Sequence, residues 1–444
     1  MPINLLMKDP RKSARNSTLS ATRLSAVFLV LLVLSILALT DTYGNHSARP
    51  AGEPLKPTVI LISIDAFRAD FVSGYQPPNL LNLAREGVQP RWMTPAFPSL
   101  TFPNHYTIAT GLYPENHGII GNEMFDPTFN AIFSVSEQKG VRDGRWWGGE
   151  PIWVTAEKQG QRAACFFFPG SEAEIAGFRP TYWKPYDEKV PNSVRVDTIL
   201  SWLDLPAAER PTFYSLYFSD VDTAGHDFSP RSAQVAAAVN RVDQAIGRLV
   251  AGLKTRGLFD QVNIIIVSDH GMAPVNPTDV VLLDEYFQTK RAERVVWNGE
   301  LTHIFPKPGE TAEINRELHS GKLAHAQCYL KEKIPARFHY RDNPRIAPIV
   351  CMADEGWRIF QRQRFADERD GGRLPRHVIG AHGYDNQLVS MRATFIGHGP
   401  AFRSGAIAEP IESVDVYGIM AEILHLTPAK NAGHTQAIRN LLRQ

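Results

Sequence analysis

The sequence predicts an α/β protein built on a doubly wound, mostly parallel central sheet with helices on both faces. Two observations lead there. Five short runs are apolar on both faces, as strands covered on both sides of a sheet are. They are "TVILISI" (58–64), "AACFFF" (163–168), "FYSLYF" (213–218), "NIIIVS" (263–268) and "ATFIG" (393–397). Helical patterns lie between them, notably 232–257, where apolar residues recur at three- and four-residue steps and Gly257 marks the stop. Strands alternating with helices give a parallel sheet with crossover helices.

Taken in order, the chain opens with Lys8, Arg11, Lys12, Arg15 and Arg23 ahead of an apolar run, 24–40. A basic segment before an apolar run is the layout of a signal peptide or a signal anchor over residues 1–40. Export to a periplasmic or extracellular location is therefore expected. The run is long for a cleaved leader and short for a span, so both cleavage and retention as an anchor stay open. If uncleaved, it is the one expected membrane contact. Residues 41–56 are small, polar and proline-bearing and read as a linker. The main domain is expected over 57–430, followed by a tail, 431–444. Within it, about 275–378 is irregular and charged and reads as a small inserted cap subdomain. The run "RQRFADERDGGR" (362–373) there reads as a solvated face.

Bulk composition excludes some classes. The 444 residues carry 47 Lys+Arg against 46 Asp+Glu, a net of +1, without the basic footprint of a protein that grips nucleic acid. No fixed-period repeat is present, which argues against a solenoid or propeller. The three cysteines, Cys165, Cys328 and Cys351, allow at most one internal disulfide. Cys328 and Cys351 are the nearer pair, and Cys165 sits in an apolar run and is expected to be buried. No CxxC spacing suggests thiolate ligation of a metal.

The chemistry lies where the strands end. The first runs into Asp65, the fourth into Asp269-His270-Gly271, and the third into "SDVDTAGHD", with Asp222 and His226 four residues apart. In open α/β sheets ligands bind beyond the carboxyl ends of strands. One Asp after a strand is ordinarily a turn residue, but three deliveries of carboxylate and imidazole are hard to explain as turns. Oxygen and imidazole donors without thiolate suit zinc, with manganese or iron as alternatives. His382, in "IGAHGYDN", repeats the His-Gly pair of His270-Gly271, where glycine would leave room for backbone to approach a metal. His117-Gly118 shows the same pair, so that cue alone is weak. Asp65, Asp222, His226, Asp269, His270 and His382 make six ligands, too many for one tetrahedral zinc and about right for two.

Thr101 would complete such a site. In "PSLTFPNHYTIATGLYPENHG" (98–118) it stands at the start of a helix. One reading makes it an N-cap, with Pro103 in the first turn. The other makes its oxygen a nucleophile at a helix start, where amides face developing negative charge. A hydroxyl beside zinc loses its proton near neutral pH, so no Ser-His-Asp triad is required.

With these residues in view, "VILISIDAFRADF", "TFPNHYTIATGLYPENHGIIGN", "PGSE", "VDTAGHD", "VSDHGM" and "AHGYDN" occur in an order that resembles the nucleotide pyrophosphatase/phosphodiesterase family of the alkaline phosphatase superfamily. The resemblance covers roughly 57–430. It implies an alkaline-phosphatase-like fold, two Zn²⁺ per chain and hydrolysis of phosphodiester and pyrophosphate bonds. Matched motif by motif, it implies one zinc on Asp65, Thr101, Asp269 and His270, and another on Asp222, His226 and His382. It implies that Asn122 contacts a non-bridging phosphoryl oxygen and that Phe102 and Tyr186 flank a nucleobase. Read without the resemblance, those two aromatics are as readily packing residues. One departure is "Ser219-Asp220-Val221-Asp222" where the family has Glu-Glu-Pro-Asp, which leaves the shape of that loop open.

The expected partner is thus a small nucleotide or phosphodiester. Thr101 is the expected nucleophile, Asn122 and amides at the helix start the expected charge stabilisers, and a nucleoside 5′-monophosphate the expected product. The alternatives are a phosphomonoesterase or a phospholipid-headgroup or phosphonate hydrolase on the same scaffold, and a metal-binding protein without catalysis. Histidines 46, 105, 117, 303, 319, 325, 339, 377, 398 and 434 read as structural or surface residues.

Overall fold

Eight strands make the central sheet: β1 (Val59–Ile64), β2 (Val88–Pro90), β3 (Ala163–Phe166), β4 (Tyr182–Lys184), β5 (Phe213–Phe218), β6 (Asn263–Val267), β7 (Phe395–His398) and β8 (Ala406–Ala408). This is a computed structural model, and it describes residues 55–321 and 323–443. The expected leader, the apolar run 24–40, His46 and most of the linker lie outside them. The strand order is β8-β2-β7-β6-β1-β5-β3-β4. All neighbours run parallel except β7, which is antiparallel to β6 and β2. The expected strands are present, with ends that agree to within two residues.

Alternation along β1 shows why these runs are apolar throughout. Val59 and Leu61 point into one core, while Ile60, Ile62 and Ile64 point into another on the opposite face. Ile265 and Val267 of β6 divide from Ile264 and Ile266 in the same way. Each such side chain, fully buried, contributes on the order of 1.5–3 kcal/mol, and only Ser63 of β1 departs from the pattern, its hydroxyl bonded to His105.

Helices cover both faces. Introduced in chain order, they are α1 (Pro78–Glu86), α2 (Thr101–Thr110), α3 (Ile152–Lys158), α4 (Asn192–Leu203), α5 (Asp220–Phe228), α6 (Ala233–Thr255), α7 (Asp415–Ile423) and α8 (Thr435–Leu441). Residues of α1, α4 and α6 fill the second core, and those of α2, α3, α7 and α8 the first. Ser232 caps α6, its Oγ accepting from Val235 N at 3.1 Å. The last segment packs on this core: Ala437 and Leu441 of α8 are buried in the cluster that α7 also lines.

Residues 275–378 are more regular than the sequence suggested. They hold a four-stranded antiparallel sheet of Ala292–Trp297, Leu301–Pro306, Ile349–Ala353 and Ala326–Leu330, in that order, with its own apolar cluster. Cys328 and Cys351 face each other across two of these strands and form a disulfide, and Cys165 is buried. The charged run forms an exposed helix, Arg362–Asp370, with no buried residue. Among the described residues no helix is long and apolar enough to cross a membrane.

Candidate active site

Strands β6, β1 and β5 are neighbours and parallel, so their carboxyl ends open on one edge. Asp65 follows β1, Asp269 and His270 follow β6, and α5 follows β5. The turn after β1 carries Ala66 at φ 54, a left-handed conformation uncommon for a residue with a Cβ. Its amide donates to Asp269 Oδ1 at 3.1 Å, which ties the ends of β1 and β6 together. The segment of uncertain shape is helical: Asp222 and His226 sit one turn apart on α5. His382 arrives from a short strand, Ile379–Ala381, paired with Ala273–Val275 just beyond His270.

These residues form two adjoining clusters. In the first, His270 Nε2 lies 3.0 Å from Asp269 Oδ2, 3.6 Å from Asp65 Oδ1 and 3.3 Å from Thr101 Oγ1. In the second, Asp222 Oδ1 lies 3.4 Å from His226 Nε2 and 3.6 Å from His382 Nε2. The His270 and His382 rings stack at 3.7 Å, joining the two. The first cluster is closed, with Asp65, Asp269 and His270 buried, whereas the His226 side chain is 43% exposed. All seven expected ligand residues therefore meet.

Three observations test whether a cation fits. Each histidine has Nδ1 bonded to a backbone carbonyl: His270 to Gly271 O at 2.8 Å, His226 to Gly380 O at 3.0 Å, His382 to Ser99 O at 2.9 Å. A carbonyl only accepts, so Nδ1 donates in each, and Nε2 of the neutral ring is left to face the site. The Nε2 atoms of His226 and His382 are nonetheless 3.0 Å apart, two acceptors facing one another. Asp65 Oδ1, Asp222 Oδ1 and Asp269 Oδ2 are buried without a hydrogen bond. Burial, then the Asp269 and Asp222 charges, hold the Asp65 carboxyl well above its ordinary range. Burial pushes Asp269 up as well, but the His270 and His105 imidazoles override it and hold the carboxyl well below that range. Burial and the neighbouring His270 and His226 depress His382 strongly. A cation among these crowded carboxylates and facing imidazole nitrogens would relieve both the acid repulsion and the unmade hydrogen bonds, so the donor set fits a metal. The groups Asp222/His226/His382 and Asp65/Asp222/His270 each bring three donor atoms within 4.8 Å of one another.

Thr101 is not an N-cap. Leu100 holds that position, Thr101 is the first residue of α2, and no side chain caps the helix. Its hydroxyl turns to His270 instead. The amide of Phe102 donates to Asn122 Oδ1 at 3.0 Å, and Pro103 has none to give. The helix start thus offers a ligand fewer free amides, and the Phe102 bond engages the Oδ1 of Asn122 rather than its Nδ2. Phe102 packs near Phe133 and Trp147, with centroids at 6.1 and 6.0 Å. Tyr186 is 39% exposed, edge-on to Phe167 and Tyr217.

Two neighbours escaped the sequence reading. His105, assigned there to structure, lies one turn after Thr101, donates from Nδ1 to Thr101 O at 2.9 Å, and stands 3.2 Å from Asp269 Oδ2. The four-residue spacing on α2 was the available signal. Tyr217 Oη donates to Asp65 Oδ2 at 2.6 Å, and nothing in its strand distinguished it. The "PGSE" motif gains a contact: Glu172 Oε1 accepts from the Tyr186 amide at 2.8 Å. The reason for Gly271 changes too. A Cβ there would meet Ser390 O at 2.0 Å, so backbone rather than a metal needs the space.

Comparison with known proteins agrees with this geometry. The profile of the type I phosphodiesterase / nucleotide pyrophosphatase family matches residues 59–385. Ectonucleotide pyrophosphatase/phosphodiesterase family member 3 of Mus musculus is 40% identical over 89% of this chain and 45% of its own length. Venom phosphodiesterase CdcPDE of Crotalus durissus collilineatus is 38% identical over 89% of this chain and 47% of its own. The chain spans about half the length of these curated relatives. Murine ectonucleotide pyrophosphatase/phosphodiesterase 5 superposes with a TM-score of 0.79 at 34% identity, over 87% of this chain and 100% of that one. An inactive form of that murine protein, solved in complex with AMP, matches equally well. With profile, identity and fold in agreement, the chain belongs to the type I phosphodiesterase / nucleotide pyrophosphatase family.

Proposed function

We propose that this chain is a two-zinc hydrolase of phosphodiester and pyrophosphate bonds that releases nucleoside 5′-monophosphates. The observation that carries this reading is the convergence of three histidine Nε2 atoms and three orphaned carboxylate oxygens beside the Thr101 hydroxyl. Asp65, Thr101, Asp269 and His270 would hold one ion, and Asp222, His226 and His382 the other. When bound, the two ions supply Lewis-acid charge that lowers the pKa of the threonine hydroxyl and stabilises the leaving oxygen.

The chain's own residues do the rest. Thr101 Oγ attacks phosphorus and the bond to the leaving oxygen breaks. Water then cleaves the threonyl-phosphoryl bond and yields a phosphomonoester. Asn122, held by the Phe102 amide, directs Nδ2 at a non-bridging oxygen. The AMP complex of the murine relative supports a nucleotide as the bound group. On this reading 57–430 is the catalytic region, 275–378 an inserted subdomain within it, and residues 1–40 direct export.

Product analysis tests the proposal. Purified protein given ATP and bis- and mono-nitrophenyl phosphate should form AMP and pyrophosphate and prefer the bis-ester. Release of ADP and orthophosphate, or a preference for the mono-ester, would overturn it.

A further inference from the structure

One cavity opens at the second cluster. It measures about 340 Å³ and is lined by His226 and His382 together with Leu100, Asn122, Glu300 and Arg358. A second cavity of about 270 Å³ shares Asn122, Asn298 and Arg358 with it and continues to Arg364. Each is strictly a separate space, but the shared residues make them successive stations along one wall.

The inserted region builds that wall. Asn298, in the turn after Ala292–Trp297, accepts from Glu123 N at 2.8 Å and donates to Glu123 O at 2.9 Å. The turn is thereby fastened to the residue next to Asn122. Arg358 begins a strand, Arg358–Phe360, paired with Val280–Leu282. Its Nε lies 3.5 Å from Glu300 Oε1, and its guanidinium carbon lies 4.6 Å from the centre of the Phe360 ring. Among the described residues no hydrogen bond holds its Nη atoms, and its side chain is 23% exposed, so the charge is partly desolvated and open to a ligand. Glu300, in the same wall, opposes an anion, and its Arg358 contact turns that charge into an anchor. Arg364 is paired with Glu368 at 3.3 Å and is 59% exposed, so its pull is weaker.

In-line displacement would set the leaving oxygen opposite Thr101, toward His226 and His382, and these two histidines line the cavity that Arg358 also lines. We propose that Arg358, with Arg364 beyond it, is the subsite for the phosphates of a leaving group that carries a diphosphate or a longer chain. The inference rests on the hydrolytic reading above and adds a preference to it. The bond that breaks joins the attacked phosphorus to the bridging oxygen. That oxygen departs with the electron pair as a diphosphate oxyanion, which needs no proton, and the Thr101 proton goes to solvent. An uncharged alcohol draws nothing from Arg358.

The test compares kcat/KM for ATP, diadenosine tetraphosphate and nitrophenyl thymidine 5′-phosphate in the zinc-loaded full chain. Arg358→Leu should lower kcat/KM for the phosphate-leaving substrates by about tenfold to a hundredfold, the range of a charge-assisted hydrogen bond. The nitrophenyl ester should lose much less, and Arg358→Lys should recover part of the difference. ATP losing more would point to a chain with a free end, the dinucleotide to a capped one. Calorimetry supplies a readout apart from turnover: Arg358→Leu should weaken α,β-methylene ATP while sparing AMP. Equal losses on all three substrates, or equal affinities for the analogue in both proteins, would overturn the subsite. A wild-type protein that cleaves none of the three would instead overturn the hydrolytic reading itself.

Discussion

Thr101 Oγ1 lies 3.3 Å from His270 Nε2, while Leu100 occupies the N-cap position that the threonine was eligible for. The two roles make opposite predictions. A lost cap costs about 1 kcal/mol and leaves chemistry intact. Since Thr101 makes no capping bond, Thr101→Ala should change the unfolding midpoint little and lower turnover by about three orders of magnitude or more. Thr101→Ser, which keeps the oxygen, should retain a measurable fraction. An alanine variant with near-normal turnover would exclude the nucleophile.

Metal removal should act on stability as well as on rate. Three carboxylate oxygens are buried without a donor, and His226 and His382 face each other as acceptors at 3.0 Å. A ligand that binds the folded state alone raises its stability by mass action. The purified protein should therefore carry close to two zinc ions per chain, and chelation should abolish hydrolysis and lower Tm together. His382→Ala should lose one ion and keep the more enclosed one. Unchanged Tm and full activity after exhaustive chelation would refute the two-ion site.

Much of this was legible because strand ends are fixed by topology. Once "TVILISI", "FYSLYF" and "NIIIVS" read as parallel strands, Asp65, Asp222 and Asp269 had to share an edge. His382 was placed by motif, since its approach depends on a short strand pair that periodicity does not reveal. Tyr217 was invisible, because a strand position buried on both faces gives no sign that one hydroxyl meets Asp65. The region 275–378 looked irregular because its strands are short and interleaved with charge, and long-range pairing alone makes them a sheet. Helix α8 leaves little trace in the sequence for a related reason, since only two of its residues are buried.

Acid should weaken the fold through two histidines far from any proposed ligand role. Burial depresses His117 and His303 to about 3 from an ordinary 6.5. Both are neutral in the folded chain, and in the unfolded chain they take up protons as pH falls below 6.5. The unfolded state then binds more protons, so stability present above pH 6.5 is lost progressively toward pH 3. The slope is roughly 1.4 kcal/mol per pH unit for each histidine. Urea unfolding followed between pH 7 and 5 should show that decline, and His303→Leu should make it shallower by one histidine's share. Parallel profiles for the two proteins would show that His303 is not titrating as its burial requires.

The last prediction concerns the group held beside the nucleophile. Phe102 follows Thr101 directly and is half-buried against Phe133 and Trp147, so its position is set by the core. Tyr186 is held by the Glu172 contact to its amide and by edge contacts to Phe167 and Tyr217, yet 39% of it stays exposed. An exposed ring on a fixed backbone is suited to stack on a planar ligand, and stacking on a base contributes about 1–3 kcal/mol with little regard to which base it is. Tyr186→Ala should therefore raise KM for nucleotides by about tenfold, with a smaller effect on kcat. The four common nucleoside triphosphates should suffer alike. A bis-nitrophenyl phosphate, which carries no nucleoside, should lose much less. Equal losses on nucleotide and nitrophenyl ester would mean that Tyr186 supports the site rather than the base. A loss confined to one base would replace stacking with hydrogen-bonded readout of that base's edge.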